Sequence, residues 1–213
     1  MKQEKILALI KEVKPATIVA ATKYINAVTA RKLYQCGINN FGENRIDSLL
    51  SKQEALKDLP IIWHFIGHLQ RNKAKQVLNR ISYLHSLDSL KLAALIEKYR
   101  KEPLMVLVEL KLTASPTKNG VTLEELPSFL ESLSSYPKVK LCGFMAMSDV
   151  DMSDQEKRAL FKCARRLKEK YKLDLLSMGM SDDYKLALLE GANFVRLGRL
   201  LFEEEDLLEE KEQ

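Results

Sequence analysis

The feature that most constrains the fold is an alternation of short apolar runs with longer amphipathic runs along the whole chain. Eight short runs have the β-branched, small or aromatic residues that are typical of buried strands. They are TIVAATK (17–23), NNFGEN (39–44), IIWHFIG (61–67), ISYLHSL (81–87), LMVLVELK (104–111), KLCGFMAM (140–147), LLSMGMS (175–181) and NFVRLGR (193–199).

Helical patterns fill the intervals, at 27–37, 45–58, 71–79, 88–101, 123–135, 153–171 and 182–192. Two of them reach a glycine, Gly37 or Gly191, of the kind that ends a helix in a left-handed turn. Strands that alternate with helices indicate a parallel sheet, because parallel neighbours need crossover connections. Eight is also the number of strands that closes a (β/α)8 barrel, so we predict that α/β fold. An open doubly wound sheet is the alternative, but no GxGxxG follows the first strand.

The whole chain, 1–213, is predicted to be a single domain, with the barrel at about 14–202. The first fifteen residues, MKQEKILALIKEVKP, carry charges throughout their apolar stretch, which indicates an amphipathic helix rather than a signal peptide. The last eleven, 203–213, are predicted to be a short acidic tail. Nothing between them resembles a linker or a low-complexity segment.

The net charge of +5 suggests a nucleic-acid partner at first sight, but its distribution argues against one. The acidic tail alone carries −6, so the rest of the chain carries +11, scattered along predicted helices without interleaved aromatic residues. We therefore expect no nucleic-acid partner. No apolar run approaches the length of a membrane span. Three cysteines without a CxxC pair fit reduced thiols in a cytoplasmic protein.

Residues of chemical interest stand at the predicted carboxyl ends of the strands, where barrels of this type place their sites. Lys23 ends the first strand, although an ammonium group is costly to bury. Ser181 precedes a predicted helix that begins near Asp182, and exposed N–H groups at a helix start bind anions. Gly198 lets the backbone approach a ligand closely. Together they indicate a phosphate site that faces a lysine.

A lysine opposite a phosphate site suits a phosphorylated aldehyde, because a partly desolvated lysine forms Schiff bases. Pyridoxal 5′-phosphate carries both the aldehyde and the phosphate. Arg196 would then point at the ring nitrogen of this cofactor and donate to it, since arginine does not lose its proton. Such an arginine makes the ring a weaker electron sink than an acidic partner would.

The motifs AATK, FGEN, WHFIGHLQRNK, HSLD, SMGMSDD and VRLG resemble, in order and spacing, the pyridoxal phosphate homeostasis protein family, single-domain relatives of the alanine racemase barrel. The resemblance covers about 6–202. It implies pyridoxal 5′-phosphate on Lys23, phosphate contacts at Ser181 and Gly198, Arg196 at the ring nitrogen and Asn44 beside the cofactor.

Two positions depart from the usual wording of this family. Arg199 stands where a phosphate-contacting hydroxyl is expected, and Glu203 where a glycine is expected. An arginine pairs well with phosphate, so we include Arg199 among the predicted cofactor-binding residues. The loop after the fifth strand also differs but keeps Lys118 and Gly120.

Three functions fit this site. The first is a monomeric carrier that holds the cofactor, takes part in its homeostasis and delivers it, with PLP-dependent apo-enzymes as possible recipients. The second is a small amino-acid racemase or related enzyme, and the third is a regulatory protein whose ligand state is read by a partner. A racemase needs a second acid/base opposite Lys23. Tyr24 is predicted to point away into the helix layer, by strand alternation, so no catalytic residue is assigned. His64 and His68 are not expected to bind a metal, and His85 is expected to be a hydrogen-bonded strand-end residue.

Overall fold

All eight predicted strands form, and each pairs in parallel with its neighbours in sequence. The last strand pairs with the first, through Thr17–Ala20 against Phe194–Leu197, so the sheet closes into the predicted barrel. This is a computed structural model, and it describes residues 3–113 and 119–202. The strands are β1 (Thr17–Ala21), β2 (Asn40–Glu43), β3 (Ile62–Phe65), β4 (Tyr83–Leu87), β5 (Leu104–Glu109), β6 (Val139–Met145), β7 (Leu175–Ser177) and β8 (Phe194–Leu197). Lys118, Glu203 and the acidic tail lie outside the described residues.

Helices follow each of the first seven strands, and one more precedes the barrel. They are α1 (Gln3–Val13), α2 (Ala27–Gln35), α3 (Ile46–Ala55), α4 (Ala74–Val77), α5 (Leu90–Tyr99), α6 (Leu126–Leu133), α7 (Asp154–Lys170) and α8 (Tyr184–Leu189). Within the described residues this gives one helix for each crossover between consecutive strands. The arrangement is that of a (β/α)8 barrel.

Each of the seven helices predicted between the strands is shorter than its sequence pattern. The segment predicted at 71–79 is only a four-residue α4 between two 3-10 turns. α6 begins at Leu126, so Pro127 falls in its first turn, where a missing N–H costs no helical hydrogen bond. α8 begins at Tyr184, two residues later than predicted, because residues 181–183 form a turn. That last difference bears on the site.

The predicted glycine caps are confirmed. Gly37 after α2 has φ +97°, and Gly191 after α8 has φ +79°. A side chain is strained in this left-handed region, and glycine is not.

The hydrophobic core fills the space between the barrel wall and the surrounding helices, as expected for strands buried on both faces. The amphipathic α1 buries Ile6, Leu9 and Val13 against it. The same helix is fixed to α8, because Glu12 accepts a hydrogen bond from the Tyr184 hydroxyl at 3.0 Å and pairs with Lys185 at 3.0 Å. Of the helices that the structure describes, none is both long and apolar enough to cross a lipid bilayer.

Candidate functional site

A cavity of about 350 Å³ opens at the carboxyl ends of the strands. This volume lies at the lower end of the range for small-molecule sites. Lys23, Asn44 and Arg196, three of the predicted cofactor-binding residues, line it together. The other lining residues are Ala21, Gly42, Ile66, Gly67, His68, Glu109, Asn119, Met147 and Met180.

Lys23 stands in a turn just beyond the end of β1. The strand stops at Ala21, and residues 23–24 no longer alternate between the two faces of the sheet. The Lys23 ammonium therefore lies over the ring of Tyr24, with Nζ 4.1 Å from the ring centroid. The prediction that Tyr24 points into the helix layer was wrong: its residue is 40% exposed, and its ring contacts the lysine.

A buried ion pair fixes the backbone immediately before Lys23. Lys52 on α3 places Nζ 2.7 Å from Oε1 of Glu43 and 2.7 Å from the carbonyl oxygen of Thr22. The Thr22 hydroxyl donates to the same Glu43 oxygen at 2.5 Å. Both charged residues are almost fully buried, between the barrel wall and α3. This pair was not predicted from the sequence, because its only signal there is the nine-residue spacing between a strand-end glutamate and a lysine of the next helix.

Asn44 presents an unsatisfied polar atom in the wall of the cavity. Its Oδ1 is buried and has no hydrogen-bond partner among the described residues. The backbone of Gly67 packs so closely against it that a Cβ added at Gly67 would lie 2.6 Å from the Asn44 Cβ. Because a buried amide oxygen rarely stays unpaired, this atom suits a polar group of a ligand.

Arg196 on β8, the neighbour of β1, is buried in the cavity wall. Its Nη1 donates to the Ser177 hydroxyl at 2.6 Å, and its Nη2 donates to the carbonyl oxygen of Ala146 at 3.1 Å. Burial lowers the pKa of Arg196 to about 10, while the carboxylates of Asp183 and Glu109 act in the opposite direction. The guanidinium is thus charged at neutral pH and remains a donor to whatever enters the cavity.

The three histidines occupy different surroundings. His85 hydrogen-bonds to His64 and to Ser177, each at 2.8 Å, which confirms its expected hydrogen-bonded state. His64 lies in the barrel interior, whereas His68 lies at the mouth and pairs with Asp88 at 3.1 Å. The i, i+4 spacing of His64 and His68 therefore does not bring their rings together, because β3 ends between them at Phe65.

The predicted phosphate loop lies beside the cavity rather than in its lining. Ser181 is half-buried in the turn before α8, and the N–H groups of Ser181 and Asp182 find no acceptor among the described residues. Asp183 shapes this turn, because its carboxylate accepts from the N–H of Met180 at 2.6 Å and from the hydroxyl of Ser148. Ser181 is thus adjacent to the lining residue Met180.

Gly198 and Arg199 complete this edge. A Cβ added at Gly198 would meet only Ala21, at 3.7 and 3.8 Å, so the packing of the protein itself does not require glycine there. The space is available to a ligand. Arg199 is exposed and forms an ion pair with Asp182, a contact that the sequence analysis did not anticipate.

Three lining residues, Glu109, Met147 and Met180, were not predicted as site residues from the sequence. Glu109 ends β5 and lines the cavity, although it lies at the end of an otherwise apolar run. Met145 and Met178 are buried in the barrel, whereas Met147 and Met180 line the cavity. Strand-end position was the available signal for all three lining residues.

The comparisons with known proteins agree with this geometry. Residues 3–206 match the family model described as alanine racemase, N-terminal domain. The pyridoxal phosphate homeostasis protein of Aquifex aeolicus is 38% identical over 198 residues, which cover 89% of this chain and 87% of that protein. That of Helicobacter pylori is 37% identical over 219 residues, 95% of this chain and 98% of that protein.

Solved structures are similar to this chain over nearly its whole length. PipY of Synechococcus elongatus without PLP has a TM-score of 0.90 and 32% identity, and the match covers 95% of this chain and all of PipY. PipY with PLP bound has a TM-score of 0.86 and 31% identity over 94% and 99% of the two chains. Alanine racemase from Corynebacterium glutamicum, at 16% identity and a TM-score of 0.71 over 94% and 59% of the two chains, shares the fold.

Proposed function

The chain belongs to the pyridoxal phosphate homeostasis protein family, and on that premise we propose that it binds pyridoxal 5′-phosphate and serves in its intracellular homeostasis and delivery. The observation that carries the proposal is the convergence of Lys23, Asn44 and Arg196 on one cavity at the carboxyl ends of the strands. Solved PipY with PLP bound, similar to this chain over nearly its whole length, supports the same ligand.

The residues present fit this cofactor. The cavity holds a primary amine for the aldehyde, a charged donor for the ring nitrogen and an unpaired amide oxygen, on Asn44, for a polar substituent. The N–H groups at 181–182, which have no acceptor in the described part of the chain, and the open space at Gly198 suit a phosphate beside the cavity. When bound, pyridoxal 5′-phosphate supplies an aldehyde that condenses with amines and a ring that draws electrons from the adduct.

Lys23 is the proposed anchor. Its primary amine would hold the cofactor, because the aldehyde of the cofactor would condense with an amine and release water. The Glu43–Lys52 pair holds the Thr22 carbonyl and so fixes the turn from which the Lys23 side chain extends. The contact with Tyr24 holds the ammonium at the cavity wall before the cofactor enters.

Ser181 is proposed to donate its hydroxyl to the phosphate. Ser181→Ala is therefore expected to weaken cofactor retention by roughly 1–3 kcal/mol, the scale of one charge-assisted hydrogen bond. The midpoint of thermal unfolding should not change, because the Ser181 hydroxyl has no hydrogen-bond partner among the described residues. Retention is measured by dialysis of the loaded protein, with Ser128→Ala on the distant α6 as the control. A Ser181→Ala variant that retains the cofactor like the wild type would remove Ser181 from the site.

Arg199 is proposed to favour phosphate binding through its charge, without needing a direct contact with the phosphate. Its ion pair with Asp182 offsets an acidic charge next to the phosphate loop, where an unpaired carboxylate would repel the ligand. In this chain Arg199 thus stands where the family usually has a hydroxyl, and it neutralises the Asp182 carboxylate. Phosphate itself could then exchange with Asp182 as the partner of this guanidinium.

A carrier role is favoured over an enzyme role by the electronics of the site. A charged arginine at the ring nitrogen leaves that nitrogen unprotonated, which stabilises negative charge on an attached amino acid poorly. The second candidate, a small racemase, has one phenol near Lys23, that of Tyr24, but racemisation requires its second acid/base opposite Lys23 rather than against it. The third, a regulatory protein read by a partner, shares the same binding step.

We expect no appreciable turnover of free amino acids. The loaded protein is incubated with L-alanine and L-serine in deuterated water, and loss of the α-proton signal and of optical purity is followed by NMR and chiral chromatography. Tyr24→Phe is the matched control, because it keeps the ring over Lys23 and removes only the phenol. Exchange at about 1 per second or faster that Tyr24→Phe abolishes would establish the racemase candidate instead.

The cellular setting follows from the same proposal. We propose a cytoplasmic, monomeric protein that passes its cofactor to PLP-dependent apo-enzymes and binds neither nucleic acid nor membranes. The test of the function itself is borohydride reduction of the purified, cofactor-loaded protein followed by peptide mapping. Pyridoxyl label on Lys23 is the expected result, and a protein that takes up no label would overturn the proposed function.

A further inference from the structure

A chain of four hydrogen bonds crosses the barrel interior and ends on Arg196 in the cavity wall. Asn40 Oδ1 lies 2.9 Å from His64 Nε2, and His64 Nδ1 lies 2.8 Å from His85 Nε2. His85 Nδ1 lies 2.8 Å from the hydroxyl of Ser177, which in turn accepts from Arg196 Nη1 at 2.6 Å. All five residues are at least nine-tenths buried. Within this network the side chains of His64, His85 and Ser177 find their hydrogen-bond partners in one another and in their two neighbours, as buried polar groups require.

The position of each proton follows from the far end of the chain. The Asn40 amide nitrogen donates to Asn39 Oδ1 at 2.8 Å, so the Asn40 oxygen is the atom that faces His64. An amide oxygen only accepts, and His64 Nε2 therefore carries a proton. Burial lowers the pKa of His64 to about 3, which leaves the ring neutral and its Nδ1 without a proton. His64 Nδ1 thus accepts from the Nε2–H of His85.

The same logic continues to the cavity. Burial lowers the pKa of His85 well below its usual value, and the nearby His64 and Arg196 act in the same direction. His85 is neutral, with its one proton on Nε2, so its Nδ1 must accept the proton of the Ser177 hydroxyl. Ser177 then presents only lone pairs to Arg196. Each hydrogen bond from Asn40 to Arg196 thus has one defined donor and one defined acceptor. At the cavity end, the donor is the Arg196 guanidinium.

We propose that Ser177 and His85 are positioning residues that hold Arg196 in place as the hydrogen-bond donor to the ring nitrogen of the bound cofactor. The role rests on the proposed function. The Ser177 hydroxyl and the Ala146 carbonyl hold the two terminal nitrogens of the guanidinium from behind, which leaves its other N–H bonds for the cavity. Without the acceptor on His85, the Ser177 proton could turn toward Arg196 and compete with it.

The test compares two ligands that differ at one atom. Pyridoxal 5′-phosphate and its 1-deaza analogue, which has a C–H group in place of the ring nitrogen, are loaded separately and their dissociation rates are measured. The wild type is expected to retain the natural cofactor roughly tenfold longer than the analogue, the scale of one hydrogen bond to a charged group. His85→Leu and Ser177→Ala should lose most of this preference. Their retention of the analogue should stay as in the wild type.

His85→Asn is the conservative variant. Its amide oxygen can replace Nδ1 as the acceptor for Ser177, so this variant should keep most of the preference for the natural cofactor. An equal loss for both ligands in His85→Leu would show a structural role only and overturn the inference, as would an unchanged preference. If His85→Leu does not fold, Ser177→Ala, which removes one hydroxyl, decides the matter alone. Failure of the wild type to bind either ligand would instead overturn the proposed function and the inference with it.

Discussion

Replacing Lys23 by alanine is expected to abolish the covalent attachment of pyridoxal 5′-phosphate and the visible absorbance of the purified protein. The reason is that a Schiff base needs a primary amine, and Lys23 is the one lysine that lines the cavity among the described residues. The fold should persist, because the side chain is only partly buried and its recorded contact is with the exposed ring of Tyr24. Absorbance spectra and the mass of the borohydride-reduced protein measure the effect.

Two further variants separate the amine from its charge. Lys23→Arg keeps the positive charge at the cavity wall but cannot form the adduct, so it should behave like Lys23→Ala in the reduction assay. Lys73→Ala, which removes an exposed lysine of the turn at 71–73, should label like the wild type. An adduct that persists in Lys23→Ala and maps to Lys73 or Lys118 would assign the anchor to another residue.

The barrel could be predicted from the sequence because it depends on patterns that few other folds share. Eight apolar runs separated by helical runs indicate a parallel sheet, and eight parallel strands can close into a barrel, as they do here. Element ends were harder to predict. The turn at 181–183 delays α8 because Asp183 accepts the N–H of Met180 within the turn and the hydroxyl of Ser148 from a loop distant in sequence.

The site was predictable where a side chain follows directly from strand position, as for Lys23, Asn44 and Arg196. The site was not predictable where a side-chain contact depends on how loops end or pack against one another. Tyr24 turns back onto Lys23 because the strand ends two residues early. Arg199 finds Asp182 across two loops. Nothing in the spacing of the sequence specifies such contacts, since they depend on how the loops pack.

The interior histidines show the same limit. From the sequence, His64 was weighed only as a metal ligand, a role that was not expected. His85 was predicted only as a hydrogen-bonded strand-end residue. Their connection to Arg196 exists because β3, β4, β7 and β8 direct alternate side chains into one barrel interior. A polar chain through this interior is therefore a property of the closed sheet rather than of any single motif.

Replacing Lys52 by methionine is expected to lower the free energy of unfolding by about 3–5 kcal/mol, the cost of breaking a buried ion pair. Methionine keeps most of the length of the side chain, but the Glu43 carboxylate would remain fully buried with only the Thr22 hydroxyl as a partner. The carbonyl of Thr22 would also lose its donor. Urea unfolding followed by circular dichroism measures the loss. The pyridoxyl label on Lys23 should then form more slowly, because the turn that carries it is no longer fixed.

Lys57 provides the matched control for this prediction. Its Nζ lies 2.7 Å from Glu54 Oε1, the same distance as in the buried pair, but both side chains are about three-quarters exposed. Lys57→Met should leave the urea midpoint unchanged, because water solvates the released carboxylate. In a double variant, Lys52→Met with Glu43→Gln, the buried charge is removed and much of the lost stability should return. Equal effects of Lys52→Met and Lys57→Met would contradict the argument, since they would show that burial adds nothing to the cost of an unpaired charge at this wall of the barrel.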